Sequence, residues 1–170
     1  MTLLLSTIKG VLPIHIRIIA IGKVKEKFYQ QALAHYYKRL SPYARLETVE
    51  LAEGKETGRG AFAVASLLEE EAQKIGRHLR DSAYLIVLSP EGHQMETEKL
   101  ASHLKNLQRA NPRIDIVVGG AAGLAGWIKQ KSDLYLSLSL LTFPHRMVRV
   151  ILLEQLYRCF KIIRGEPYHK

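Results

Sequence analysis

Cysteine is almost absent from this chain of 170 residues: Cys159 stands alone. That excludes an internal disulfide and any zinc motif built on paired cysteines. A chain of this length can bury a core of its own, and a reducing, cytoplasmic setting is expected. Long apolar runs are missing too. Within residues 1–13, Leu3, Leu4 and Leu5 are cut off from Val11 and Leu12 by Ser6, Thr7 and Lys9. This is too short for a signal-peptide core of about 7–15 residues, and no later window approaches the ~20 apolar residues of a membrane helix. The expectation is a soluble protein with no membrane partner, in which residues 1–13 are an extension and 14–170 a single domain. The histidines His15, His35, His78, His93, His103, His145 and His169 are dispersed, and none forms the helical pair of a zinc protease, so no metal is expected.

Acidic residues are also scarce, 16 against 25 basic ones, for a net charge of +9. The surplus is uneven. Residues 1–60 carry +5, 61–110 carry −1 and 111–170 carry +5. Lys23, Lys25 and Lys27 cluster where the first helix should start, the end at which cations are unfavourable, so helix stability does not account for them. Near the C-terminus Arg146, Arg149, Arg158, Lys161 and Arg164 fall within half the circumference of one helix. The surplus reads either as solvated helix faces or as a nucleic-acid-binding surface, with Lys23, Lys25, Lys27, Arg146, Arg149 and Lys170 as the candidate contacts of the latter.

What is present in abundance is alternating strand and helix pattern. Strands are expected at 14–21, 45–51, 83–88, 114–118 and 134–138, and helices at 24–40, 61–79, 96–110, 125–131 and 144–163. The first helix presents Phe28, Ala32, Leu33, Tyr36 and Leu40 on one side. Residues 53–60 read as a mobile loop, and Ser89-Pro-Glu-Gly92 as a turn. Five short apolar strands interleaved with helices predict an α/β fold, a mainly parallel sheet with helices on both faces.

Two loops carry ligand character. Gly119-Gly-Ala-Ala-Gly-Leu-Ala-Gly126 follows the fourth strand at the end where open α/β sheets bind ligands. It matches neither the dinucleotide fingerprint nor the phosphate loop. Either a tight turn or the approach of a ligand to bare backbone accounts for it. Leu136-Ser-Leu-Ser-Leu-Leu-Thr-Phe-Pro144 is apolar with small hydroxyls and can form a slot for a purine ring. Cys159, among Tyr157, Phe160, Ile162 and Ile163, reads as a small core residue. The tail Gly165-Glu-Pro-Tyr-His-Lys170 places an aromatic ring, an imidazole and an ammonium beyond a Gly/Pro break.

From 136 to 170 the sequence LSLSLLTFPHRMVRVILLEQLYRCFKIIRGEPYHK resembles the C-terminal signature of the small bacterial methyltransferases that modify N3 of a pseudouridine in large-subunit (23S) ribosomal RNA. The resemblance continues through Val118-Gly-Gly-Ala-Ala-Gly-Leu124, Glu71-Ala-Gln-Lys74 and Ala20-Ile-Gly-Lys-Val-Lys-Glu-Lys-Phe28, and covers residues 15–170. It implies the SPOUT fold with a C-terminal trefoil knot, a homodimer, and the assembled ribosome as substrate. It also implies S-adenosylmethionine bound by Leu88, Gly119, Gly120, Leu138, Ser139, Leu140, Leu141, Thr142, Phe143 and Pro144. The sequence departs from the family pattern after Leu88: Ser89, Gly92-His93 and Glu96-Thr97-Glu98 replace an Asp, a Gly-Lys and a Ser-Ser-Glu. Arg146 and Cys159 replace an uncharged residue and an alanine.

For methyl transfer to a ring imide, the protein must align the reactants and deal with the imide proton. Arg158 supplies a fixed cation for the base oxygens or a phosphate, with an intrahelical pair to Glu154 as its alternative use. His169 serves proton removal or hydrogen bonding, and Tyr168 stacks on a base. Two other classes compete on the same residues: a non-catalytic RNA-binding factor of ribosome assembly and a flavodoxin-like small-ligand protein. Neither predicts S-adenosylmethionine binding.

Overall fold

The computed structural model describes residues 13–55, 58–110 and 112–167. Residues 1–12 of the expected extension and the tail residues Tyr168, His169 and Lys170 lie outside that range. Five strands, β1 (Ile14–Ile21), β2 (Ala44–Leu51), β3 (Tyr84–Gln94), β4 (Arg113–Val118) and β5 (Leu134–Ser137), alternate with five helices. These are α1 (Lys27–Leu40), α2 (Ala61–Gly76), α3 (Thr97–Ala110), α4 (Gly126–Lys131) and α5 (His145–Ile163). All pairings are parallel, in the order β2-β1-β4-β3-β5.

The parallel arrangement follows from strands that are apolar on both faces. In β1, Ile14, Ile16, Ile18 and Ala20 face a core closed by α1, α3 and α5. Ile19 and Ile21 face the other way, into a second core beneath α2 and α4. Leu100, Leu104, Leu152, Leu156 and Phe160 fill the first layer; Ala72, Ile75 and Ile128 fill the second. The α/β sheet with helices on both faces is as the periodicity predicts. Cys159 is fully buried, and burial pushes its thiol up to about 12, so it is an inert core group.

Three local departures matter for the site. First, α1 begins at Lys27 rather than at residue 24, because Glu50 Oε1 accepts from Val24 N at 3.2 Å and Val24 is buried, which keeps residues 23–26 out of the helix. Second, Phe28 stands 62% exposed and is no part of the α1 core face. Third, β3 does not end at Leu88. Its chain bulges out at residues 89–92 and returns, so that His93 and Gln94 pair with Leu136 and Ser137 of β5. Among the described residues no helix is long and apolar enough to cross a membrane.

Candidate active site

The chain passes from β4 across β3 to reach β5, so the carboxyl ends of these three strands open side by side, the position at which α/β sheets form ligand crevices. A cleft of about 390 Å³ lies there. Leu88 comes from the end of β3, and Gly119 and Gly120 follow β4. Leu138, Ser139, Leu141, Thr142, Phe143 and Pro144 come from the loop between β5 and α5. All nine are residues that the sequence singles out. Leu140 is different: it is 75% exposed and does not line the cleft. Sequence reasoning missed Val118, Leu124 and Val148, whose apolar character reads as ordinary core, and His145, which reads as one scattered histidine among seven.

The glycines are needed for packing behind the cleft. A Cβ on Gly119 would sit 2.7 Å from the Gly123 carbonyl oxygen, and one on Gly120 would sit 3.0 Å from Ile21 Cγ2 and 3.1 Å from Glu71 Oε2. Gly123 turns the chain at φ +93, closing a bridge to Gly120. Beneath Gly120, the buried Glu71 accepts a hydrogen bond from Gly54 N at 2.9 Å. Burial pushes its carboxyl up, against the pull of the Gly54 N–H. On the opposite wall, Ser137 Oγ donates to Ser139 O at 2.9 Å and Leu141 N donates to Ser139 Oγ at 3.0 Å, shaping the loop. Among the described residues, no backbone–backbone hydrogen bond ties residues 138–143 to another segment, so apart from Ser139 O and Leu141 N their N–H and C=O groups are open to a ligand.

Among the described residues the cleft itself carries no charged side chain; the charges stand beside it. At the carboxyl ends of β1 and β2, Glu26, Glu50 and Glu53 meet His145, Arg146 and Arg149 of α5. Arg149 does not belong to the basic surface where its helical phase places it. It is 2% exposed and donates to Glu50 Oε1 at 2.8 Å, Ile21 O at 2.7 Å and Gly22 O at 2.6 Å. The phase is right but the face is wrong, because that side of α5 meets the ends of β1 and β2. Arg146 pairs with Glu26 at 2.8 Å. Arg158 Nε donates to Glu154 at 2.5 Å and lines no part of the cleft. Lys161 binds Glu166 at 2.5 Å, and Arg164 lies over the Tyr43 ring. The basic face of α5 is thus largely spent within the fold.

Lys23, Lys25 and Lys27 are the reverse case. All three are exposed and form no ion pair with any described residue. Lys23 and Lys25 sit in the segment before α1, whose shape Glu50 and Arg149 hold from behind through Val24 N and Gly22 O. Among the described residues no cluster of His, Cys, Asp or Glu could hold a metal ion.

A family profile described as "Predicted SPOUT methyltransferase" matches residues 14–169. The chain is 43% identical over 159 residues to the "Ribosomal RNA large subunit methyltransferase H" of Moorella thermoacetica, covering 92% of this chain and 99% of that protein. It is 42% identical over 157 residues to the protein of the same name from Bifidobacterium adolescentis, with 91% and 99% covered. A third, from Bifidobacterium animalis subsp. lactis, is 39% identical over 158 residues, with 92% and 99% covered.

Proposed function

This chain belongs to the SPOUT methyltransferase family, and we propose that it methylates N3 of a pseudouridine in 23S ribosomal RNA with S-adenosylmethionine as donor, in the cytoplasm on the assembled ribosome. The observation that carries the donor assignment is the cleft: uncharged, about 390 Å³, and walled by a loop with free backbone groups. That volume falls in the usual ligand-pocket range of roughly 300–1,000 Å³. Apolar Leu88, Leu138, Phe143 and Val148 suit the faces of an adenine ring, and the backbone of 138–143 suits its polar edge. The donor supplies a methyl group on a positively charged sulfur that leaves with its bonding electrons. The protein's part is to hold the acceptor in line and dispose of its imide proton.

Arg158 supports a dimer. It lies 13 residues beyond His145 on α5, or about 20 Å at 1.5 Å per residue. As a cation for the acceptor base it therefore serves the cleft of a second copy. In this reading Tyr168 stacks on an RNA base, His169 hydrogen-bonds it and Lys170 meets a phosphate.

Calorimetry with S-adenosylmethionine is expected to show saturable binding to the protein. Mass mapping of 23S RNA from cells with and without it should differ by one methyl group on a pseudouridine. Deletion of residues 168–170 should leave donor binding intact and abolish transfer. A protein that binds no donor is the RNA-binding factor instead.

The lysines give a second expected result. Changing Lys23, Lys25 and Lys27 together to glutamate should weaken ribosome binding and flatten its dependence on log salt. The slope should fall by about 2, at roughly 0.7 for each phosphate of single-stranded RNA that the protein no longer neutralises. An unchanged slope would place the RNA elsewhere.

A further inference from the structure

We propose that His145, which faces Glu53, is the group that takes the imide proton from the methyl acceptor. The inference rests on the methyl-transfer reading above. Of the described residues lining the cleft, His145 alone has a side chain that titrates near neutrality. It sits where the cleft adjoins the polar cluster, immediately after Pro144, with its side chain 18% exposed.

The two ring nitrogens differ. Nε2 is shielded from solvent and meets no hydrogen-bond partner; its nearest carboxylate oxygen is Glu53 Oε1, at 3.7 Å. Nδ1 also has no hydrogen bond to any described residue, yet it is not among the atoms closed off from solvent. With a carboxylate as its neighbour, Nε2 is assigned the proton, which leaves the Nδ1 lone pair free on the open side of the ring. Gly22 makes this arrangement possible. At φ +83, a Cβ there would fall 2.4 Å from Glu53 Oε1 and 3.1 Å from His145 Nε2. Any side chain would wedge carboxylate and imidazole apart.

The charge environment favours the neutral ring needed for a base. Burial depresses the His145 pKa below its ordinary 6.5, and the Arg146 and Arg149 guanidinium groups on α5 add to this. Glu53, after β2, and Glu26, before α1, act in the opposite direction. The ring is therefore unprotonated at neutral pH, and Glu53 stands ready to stabilise the imidazolium once formed.

The step balances. The N3–H bond breaks and its proton passes to Nδ1. The nitrogen electron pair forms the N–CH3 bond, while the pair of the breaking S–CH3 bond stays on sulfur. The imidazolium then returns its proton to water. His169 is left with hydrogen bonding, and its removal should not alter the titration.

Four full-length proteins test this: wild type, His145→Gln, Glu53→Gln and His169→Ala. In the donor-free wild type, nuclear magnetic resonance of the His145 ring should show the Nε2–H tautomer and a midpoint below 6.5; Glu53→Gln should move it further down. Calorimetry should give His145→Gln a donor affinity within about threefold of wild type. Single-turnover transfer to ribosomes should fall about 100-fold in His145→Gln, at the lower end of general-base contributions. The wild-type rate should drop as pH falls through the His145 midpoint. That acid limb should disappear in His145→Gln and persist, at whatever rate remains, in His169→Ala. A His145→Gln protein that keeps the acid limb, or that loses the donor, overturns the proposal while leaving the functional reading intact. A wild type that binds the donor but methylates no ribosomal RNA overturns both.

Discussion

Arg149→Ala should unfold more easily than the wild type, losing about 1.5–3 kcal/mol, the range for hydrogen bonds to a charged group, since the guanidinium is buried but its partner Glu50 is partly exposed. For a domain of this size that is a fall in melting temperature on the order of 3–12 °C, at roughly 2–4 °C per kcal/mol. The guanidinium is 2% exposed and ties α5 to three places at once: Glu50 on β2, and the Ile21 and Gly22 carbonyls at the end of β1. Truncation leaves the Ile21 and Gly22 carbonyls without this donor and strips Glu50 of its cationic partner, leaving it only the Val24 N–H and water. Lysine is no substitute, since one ammonium cannot reproduce the forked geometry of these contacts. If Glu50 is the main partner, the double variant Arg149→Ala/Glu50→Ala should be less unstable than the sum of the singles. Thermal melts and urea titrations check both values. A loss under about 1 kcal/mol would mean the cluster relaxes around the missing group, and the account of Arg149 as the clamp would fall.

The second large effect is at Gly92. Its added Cβ would meet the Leu136 carbonyl carbon at 2.6 Å and the Leu136 nitrogen and oxygen at 2.9 Å. These are backbone atoms of β5, paired through Leu136 and Ser137 to His93 and Gln94, so neither strand can step aside alone. Gly92→Ala is expected to cost about 1–3 kcal/mol, the usual penalty of overpacking. It should also weaken donor binding, because the cleft loop starts immediately after Ser137. Gly126→Ala is the control: nothing lies within 4 Å of its Cβ, so it should be neutral or slightly stabilising. Melting temperature and calorimetric donor affinity should fall together in the first variant and not in the second. A Gly92→Ala protein as stable as Gly126→Ala would show that the contact between the β3 bulge and β5 is loose.

Most of the cleft is legible in the sequence. Gly119, Gly120 and the loop from Leu138 to Pro144 stand out because glycine clusters and apolar, hydroxyl-bearing segments are poor helix or strand, and they fall at the ends of recognisable strands. The exception, Leu140, shows the limit of a run of sequence: neighbouring loop side chains point in different directions. Arg149 shows a second limit. Helical phase groups it correctly with Arg146, yet only the packing of α5 on β1 and β2 tells which side is interior. The partners of Arg146 and Lys161, Glu26 and Glu166, lie on other segments, so the neutralisation of that face is invisible to a charge count. Phe28 fails for a related reason, since an apolar position on a helix says nothing of whether a neighbour arrives to cover it.

By itself the sequence determined the parallel α/β alternation, because strands buried on both faces must be continuously apolar and the helices between them amphipathic. It also determined that the three lysines of the Gly22–Lys27 segment have no structural task, since nothing in helix energetics favours cations there. Tertiary structure alone decided which of the described basic residues remain free of ion pairs, and that one of the six described histidines stands at the cleft with Glu53 behind it. Those outcomes depend on contacts between residues about 90 to 130 positions apart, set by the order in which the strands assemble. Local pattern can assign each side chain to an element and a phase, but only the packing of elements fixes what it meets.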